Sequence, residues 1–249
     1  MADPLGQENL DDWDAPTPPD VSHLITEDDG PVNLFQDKQS DILVETLRVS
    51  WEQGRPFLSA ADVGIFRVAE NPPIVPDVLL AVGVSAPEDG QAKENRSYFV
   101  WKYGKPPEIV IEIVSNKKGG EDTTKLEQYA RIKVPYYVIY DPAQHLSARH
   151  LRVFQLSGAS YMEKVDRFFP EVGLGLVLWE GPFDNWSTAW LRWVDPSGTL
   201  LATGEEERLR ADQERFRADQ ERSRADLEQA RAERLAEKLR ALGLDPDSD

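Results

Sequence analysis

Three side chains in the middle of the chain are of types that work together: Asp77, directly after Pro76; Glu112, inside the apolar run PEIVIEIVS; and Lys125, in the stretch EDTTKLEQYARIK. Two carboxylates can share a divalent cation. A nearby ammonium group can steady the negative charge that builds on a phosphoryl group under attack by water, so the trio supplies the parts of a metal-assisted phosphodiester hydrolysis. Taken singly, each has a plainer role. An aspartate after a proline at a strand start is commonly a turn residue, and a helix lysine is commonly a solvated one. Glu112 carries more weight, because a carboxylate set in an apolar strand is costly without a cation or a hydrogen-bond partner. Other chemistries lack their residues. His23, His145 and His150 have no zinc-site spacing, no glycine-rich phosphate loop or G-x-G-x-x-G is present, and no serine sits in a nucleophile motif.

The trio needs elements to bring it together, and the patterning predicts them. Ile42, Leu43, Leu47 and Val49 to Trp51 fall at helical spacings after Asp37, giving a first helix with Glu45 near its middle. Short β-rich runs follow at 63–68, 76–82, 98–101 and 107–115, separated by Gly, Pro, Asn and Asp. The last of these is apolar apart from Glu108 and Glu112, as expected of a central strand buried on both faces. Beyond the loop 116–120, acids precede Leu126, Tyr129, Ala130 and Ile132 on one side of an amphipathic helix. Asp122 is placed to cap it, and Tyr129 faces the same side as Lys125, with core packing and a surface hydroxyl as its plainer role. Pro135 ends the helix and YYVIYDP reads as the next strand. Strand, helix and strand in this length suggest a crossover unit. Hairpin-like strands (LRVFQL, YMEKV, LGLVLWE) and the tryptophans Trp186, Trp190 and Trp193 then suggest a further β-rich layer.

Composition limits the partners. A formal net charge of -17 repels polyanions, so any nucleic-acid site must be local. Lys102, Lys105, Lys117, Lys118, Arg131 and Lys133 form the cationic concentration ahead of the tail, with Lys117 and Lys118 as candidate phosphate contacts. A plain solubilising role suits them equally. Absence of cysteine excludes a disulfide framework and thiolate-metal sites and suits a reducing compartment. The N-terminus does not read as a secretory signal and no stretch approaches the roughly 18 to 20 apolar residues that span a bilayer, so a soluble, cytoplasmic protein without a membrane partner is expected.

The ends differ from the middle. Residues 1 to 33, rich in Asp, Glu and Pro, have no sustained apolar period and read as a loose arm. From Gly204 a seven-residue repeat (LRADQER, FRADQER, SRADLEQ, ARAERLA) predicts a long charged helix and tail over 204–249. Its seam, Leu209, Phe216, Ser223, Ala230 and Glu237, is poor, leaving a solvated helix and a weak coiled coil both open.

The stretches PPIVPDVLLAVGV and SYFVWKYGKPPEIVIEIVSNKKGGEDTTKLEQYARIKVPYYVIYDP resemble the Uma-two family of restriction endonucleases, a branch of the PD-(D/E)xK nuclease superfamily. Pro-Asp, the buried E-(I/V)-(V/L)-S strand, a D-x-x-K-x-x-x-Y helix start and the closing strand occur in the family's order. The similarity covers about residues 40 to 200 and is dense between Pro73 and Pro142. It implies an α/β fold with a restriction-endonuclease-like core over 34–203, a mixed central sheet flanked by helices, to which the β-rich layer and the C-terminal helix are added. It implies Mg²⁺, with Mn²⁺ as a substitute, held by Asp77, Glu112 and the Ile113 carbonyl. Lys125 would orient or activate the water, and Glu45 would complete the metal site through a water. In the superfamily the lysine usually lies two residues after the strand acid; here that position is Val114, and the resemblance implies that Lys125 takes the role from the next helix.

The expectation is therefore a Mg²⁺-dependent DNA endonuclease acting as a homodimer, since cutting both strands generally needs two sites. The alternative is a nuclease-fold protein without cleavage activity that binds nucleic acid or protein. Convergence of Asp77, Glu112 and Lys125 separates the two.

Overall fold

The computed structural model describes residues 20, 33–52 and 54–242. Nearly all of the expected acidic arm, and the last seven residues of the tail, lie outside the described residues. Two compact units divide after Leu201.

The first unit opens with α1 (Leu34–Ser50). Asn33 caps it in a reciprocal box with Gln36, Asp37 sits in its first turn and Arg48 in its last, all in keeping with the helix dipole. Strands β1 (Phe57–Ala61), β3 (Val78–Val82), β5 (Ile109–Ile113), β6 (Tyr136–Tyr140), β7 (Leu151–Ser157) and β8 (Ser160–Lys164) form one sheet in the order β1-β3-β5-β6-β7-β8. Only β5 and β6 run parallel, joined by α3 (Thr124–Ile132), which is the expected crossover; the other pairs are antiparallel. The short strands β2 (Ile65–Phe66) and β4 (Tyr98–Phe99) pair in parallel, and β4 runs straight into the one-turn helix α2 (Val100–Tyr103). Strand β1 has no counterpart among the expected runs, because FLSAA lacks both a β-branched residue and a clean apolar alternation.

The two faces of the six-stranded sheet are covered differently. On one, Ile109, Ile111 and Ile113 join Val78, Leu80, Tyr136 and Val138 in a core with α1 and with the sheet made by β9 (Phe168–Phe169), β10 (Leu174–Phe183) and β11 (Trp186–Val194). This sheet is the later part of the expected β-rich layer, holding LGLVLWE and the tryptophans; LRVFQL and YMEKV, expected in the same layer, are instead β7 and β8 and extend the six-stranded sheet. Gln39 fastens it to α1, exchanging two 2.9 Å hydrogen bonds with the backbone of Leu191, while Trp193 donates to the Leu43 carbonyl at 3.0 Å. On the other face, Leu79, Val110, Val114, Tyr137, Ile139 and Phe154 pack with Tyr129 of α3. The alternation of β5 therefore sends Glu112 toward α3 and its neighbours Ile111 and Ile113 toward α1.

The second unit holds α4 (Gly204–Ala241), started by a capping box between Thr203 and Glu206. None of its residues is buried, and Leu209, Phe216, Leu227 and Leu235 are exposed. Among the described residues no helix is long and apolar enough to cross a membrane.

Candidate active site

Glu112 lies in the middle of the sheet with 1% of its surface exposed. Val78 stands opposite Ile111 in the β3–β5 ladder, so the register carried one step further sets Asp77 opposite Glu112, on the same face. Directly opposed residues have Cβ atoms about 4.5–5.5 Å apart. Asp77 is further fixed by accepting the backbone N–H of Ile113 on its Oδ2. The antiparallel pairing of β3 with β5 is what makes the two acids neighbours.

Helix α3 completes the cluster. Lys125 donates from Nζ to Glu112 Oε2 at 2.7 Å, and the buried Tyr129 hydroxyl donates to Glu112 Oε1 at 2.6 Å. The spacing of four residues puts the two donors one turn apart on the helix face that meets the sheet. Tyr129 thus departs from its plainer expectation: it does pack in the core, but its hydroxyl is spent on the carboxylate. Burial pushes Glu112 up to about 8, and Asp77 adds to the rise against the opposing pull of Lys125 and Tyr129. Burial would lower Lys125, but the negative charge of Glu112, with Asp77 and Glu121, outweighs it and holds the ammonium form above its ordinary value. The Tyr129 hydroxyl is pushed well above its ordinary value by burial and by Glu112, so it acts as a donor.

The first helix reaches the site through a different residue from the one expected. Gln36 donates from Nε2 to the Ile113 carbonyl at 2.9 Å, while its Oε1 accepts from Asn33 in the helix cap. Glu45 is nine residues further along α1, about 13 Å along the axis and half a turn round. That helix packs on the sheet face opposite Glu112. The structure therefore does not bring Glu45 to the carboxylates. The Asn-x-x-Gln pattern was a visible cap signal, but nothing local pointed Gln36 at residue 113.

Asp122 also departs from expectation. The residue preceding α3 is Thr123, which makes no side-chain cap bond, and Asp122 pairs instead with Arg152 of β7 at 3.5 Å. Arg152 was not anticipated as part of the site. Glu112 stands opposite Ile139, and Ile139 opposite Arg152, so all three share the row and the face of Asp77. Its Nε and Nη2 are buried without a hydrogen-bond partner. Alternation in LRVFQL could have put Arg152 on a face with Phe154, but only the register of three strands puts it in this row. Nearby, the Tyr137 hydroxyl holds the Glu121 carbonyl at 2.7 Å, so two contacts pin the turn that delivers Lys125.

The expected basic concentration is dispersed. Lys102 bonds to Glu94 and Asn95, Lys105 to Glu108 and Lys133 to the Gly158 carbonyl, while Arg131 pairs with Glu127. Lys117 and Lys118 are exposed in the loop just after Glu112, where an Asn116 side chain accepting from the Lys118 N–H shapes the turn.

Among the described residues no three His, Cys, Asp or Glu side chains lie close enough to hold an ion together. A cation here would use the Asp77 and Glu112 carboxylates, the Ile113 carbonyl and waters. That donor set is all hard oxygen, which fits Mg²⁺ or Mn²⁺ and not a thiolate- or imidazole-seeking metal.

No curated protein matches the chain. Among solved structures, similarity is found to one titled "Crystal structure of a putative nuclease belonging to DUF820 from Anabaena variabilis ATCC 29413", with 13% identity over 56% of this chain and 73% of that one and a TM-score of 0.39. The Uma2 (Uma-two) family model, described as "Putative restriction endonuclease", matches residues 30–174. The first unit is a mixed α/β fold, a central mixed sheet with helices and an added sheet; the matched span is more than half of the chain and holds Asp77, Glu112 and Lys125, and by it the protein belongs to the Uma2 family.

Proposed function

We propose that the protein is a Mg²⁺-dependent DNA endonuclease hydrolysing phosphodiester bonds at the Asp77–Glu112–Lys125 cluster. The observation that carries this is the convergence of the three groups from two adjacent strands and a crossover helix, with Lys125 Nζ 2.7 Å from Glu112 Oε2. Asp77, Glu112 and the Ile113 carbonyl would hold the ion. When bound, it supplies Lewis-acid polarisation of a phosphoryl oxygen and a more acidic water.

The chain's own residues do the positioning. Tyr129 fixes Glu112 in one orientation through Oε1, and the Ile113 N–H fixes Asp77. Gln36 holds the carbonyl of Ile113, next to Glu112. Lys125, kept protonated by Glu112 and Asp77, donates to the attacking water and to the phosphoryl oxygen on which charge develops; as a cation it serves as charge stabiliser and not as general base. Lys117 and Lys118 would meet flanking phosphates.

Cutting both strands of a duplex calls for two such sites, so the active form is proposed to be a homodimer. Leu209 and Phe216, exposed on successive heptads of α4, offer a weak coiled-coil seam for it.

The test is cleavage of supercoiled plasmid and of single-stranded DNA with Mg²⁺, with Mn²⁺ and with EDTA. Nicking that needs the ion and disappears in Glu112→Gln is expected. Folded wild-type protein that cuts neither DNA under any condition would leave a binding module of nuclease fold as the function.

A further inference from the structure

One groove beside the cluster has no part in the chemistry above. Ile65 and Ile74 exchange backbone hydrogen bonds of 2.8 and 3.2 Å, closing the segment between them into a loop. Phe66 and Ala69 anchor that loop against Phe99, and Pro72 and Pro73 stiffen its return. The loop faces the outer side of α3, and the two enclose a cavity of about 320 Å³. This is the lower end of the size range for small-molecule sites. Ile65, Ile74 and Ile132 give it an apolar interior; Arg67 and Asn71 from the loop, and Gln128 and Arg131 from the helix, give it a polar and cationic lining.

Its walls adjoin two of the three segments that carry the cluster. Ile74 lies three residues before Asp77, and Gln128 follows Lys125 by three, so Lys125, Gln128 and Arg131 ascend one ridge of α3 spanning about 9 Å. Among the described residues Arg131 is engaged only by Glu127, at 3.6 Å and with both side chains more than 70% exposed, a pairing worth little in water. Two guanidinium groups at one concave place matter in a chain of net charge -17. They make a local site for an anion on a surface that otherwise repels one.

We infer that this groove seats one unpaired nucleotide of the nucleic-acid strand next to the phosphodiester at the cluster. Arg67 and Arg131 take its phosphate, Asn71 and Gln128 meet the edge of its base, and Ile132 with Pro72 and Pro73 covers the base face. Guanidinium groups suit phosphate through paired donors. An apolar interior reached from one side accepts a base only when it is out of a duplex stack. The inference rests on the nuclease function for the identity of the strand, and it names what that function leaves open: a preference for single-stranded or locally opened substrate.

The experiment is fluorescence anisotropy of a labelled single-stranded oligonucleotide with the full chain in EDTA, where no cleavage occurs, across a salt series. Arg67→Gln with Arg131→Gln, and separately Gln128→Glu, replace exposed side chains. The double variant is expected to weaken binding by about 10-fold or more and to reduce the slope of log K against log salt by about 0.7 for each phosphate left without its guanidinium. Gln128→Glu, which puts a like charge beside the phosphate, is expected to weaken binding several-fold. A duplex of the same sequence is expected to bind wild type more weakly than the single strand. Unchanged affinity and slope in both variants, equal binding of duplex and single strand, or no binding by wild type would each overturn the inference. Groove-dependent binding without Glu112-dependent cleavage would instead remove the nuclease function and leave the groove.

Discussion

The hydroxyl of Tyr129 and the carboxylate of Glu112 meet at 2.6 Å, although they lie seventeen residues apart on a helix and on the strand beneath it. Both are fully buried, so neither can exchange this partner for water. The bond fixes the face on which Glu112 presents its remaining electron pairs, and Lys125 occupies the other oxygen.

Tyr129→Phe should therefore do more than remove a hydroxyl. A buried carboxylate oxygen losing its donor costs about 1–3 kcal/mol. Losing an orienting partner typically weakens metal binding by about 10- to 100-fold. Calorimetric titration with Mn²⁺ and denaturant unfolding in EDTA measure the two effects. A variant with wild-type metal affinity would show that Tyr129 serves packing alone.

Lys125→Met should lower cleavage by about 100- to 1,000-fold, the usual loss when one donor to a developing oxyanion is removed. Substrate KM should move little, because the donor acts on charge that exists only in the transition state. Steady-state rates on a defined oligonucleotide settle this, and a pure KM effect would reassign Lys125 to substrate binding.

The pH dependence of stability has a definite sign. Glu112 rises from 4.5 to about 8 on folding, with burial as the main cause, so the folded state keeps a proton that the unfolded chain gives up in this interval. This contribution to stability is full below the unfolded value and is lost as pH climbs through the folded one. In EDTA, the denaturation midpoint should fall between pH 5 and pH 9 for wild type and fall less for Glu112→Gln. Parallel curves would contradict the buried, proton-holding state. Saturating Mg²⁺ should reverse the trend, stabilising more at pH 8 than at pH 6 because the ion needs the deprotonated ligand; at about 100 times its Kd it adds about 2.7 kcal/mol.

Arg152→Met should slacken the turn ahead of α3 by freeing Asp122, its partner at 3.5 Å. Asp122→Asn should produce the same loss of rate, and the double variant no more than either alone, as a coupled pair requires. Additive losses would mean that the two act separately.

Pairing through α4 predicts that Leu209→Glu with Phe216→Glu, on the seam, lowers the mass seen in sedimentation and leaves the unfolding of the first unit unchanged. A monomeric wild type, or a dimer that survives the substitutions, would exclude α4 from assembly.

That Glu112 sits in a central strand was legible in PEIVIEIVS, since a run apolar apart from its two glutamates is buried on both faces. The sequence also determined the crossover to α3 and the placing of Lys125 near the helix start, since both follow from local periodicity and from Pro135. Strand β1 escaped it, as FLSAA has too little alternation to register. Long-range packing, which no local pattern encodes, sets β3 antiparallel beside β5, makes Asp77 the opposite number of Glu112 and continues the row to Arg152. It likewise decided that Gln36 and not Glu45 reaches Ile113, and that Asp122 pairs across the sheet instead of capping its own helix. The division has one physical cause. Helix and strand periods are written in neighbouring residues, whereas strand order, register and the face a helix presents are set by which distant apolar surfaces pack together.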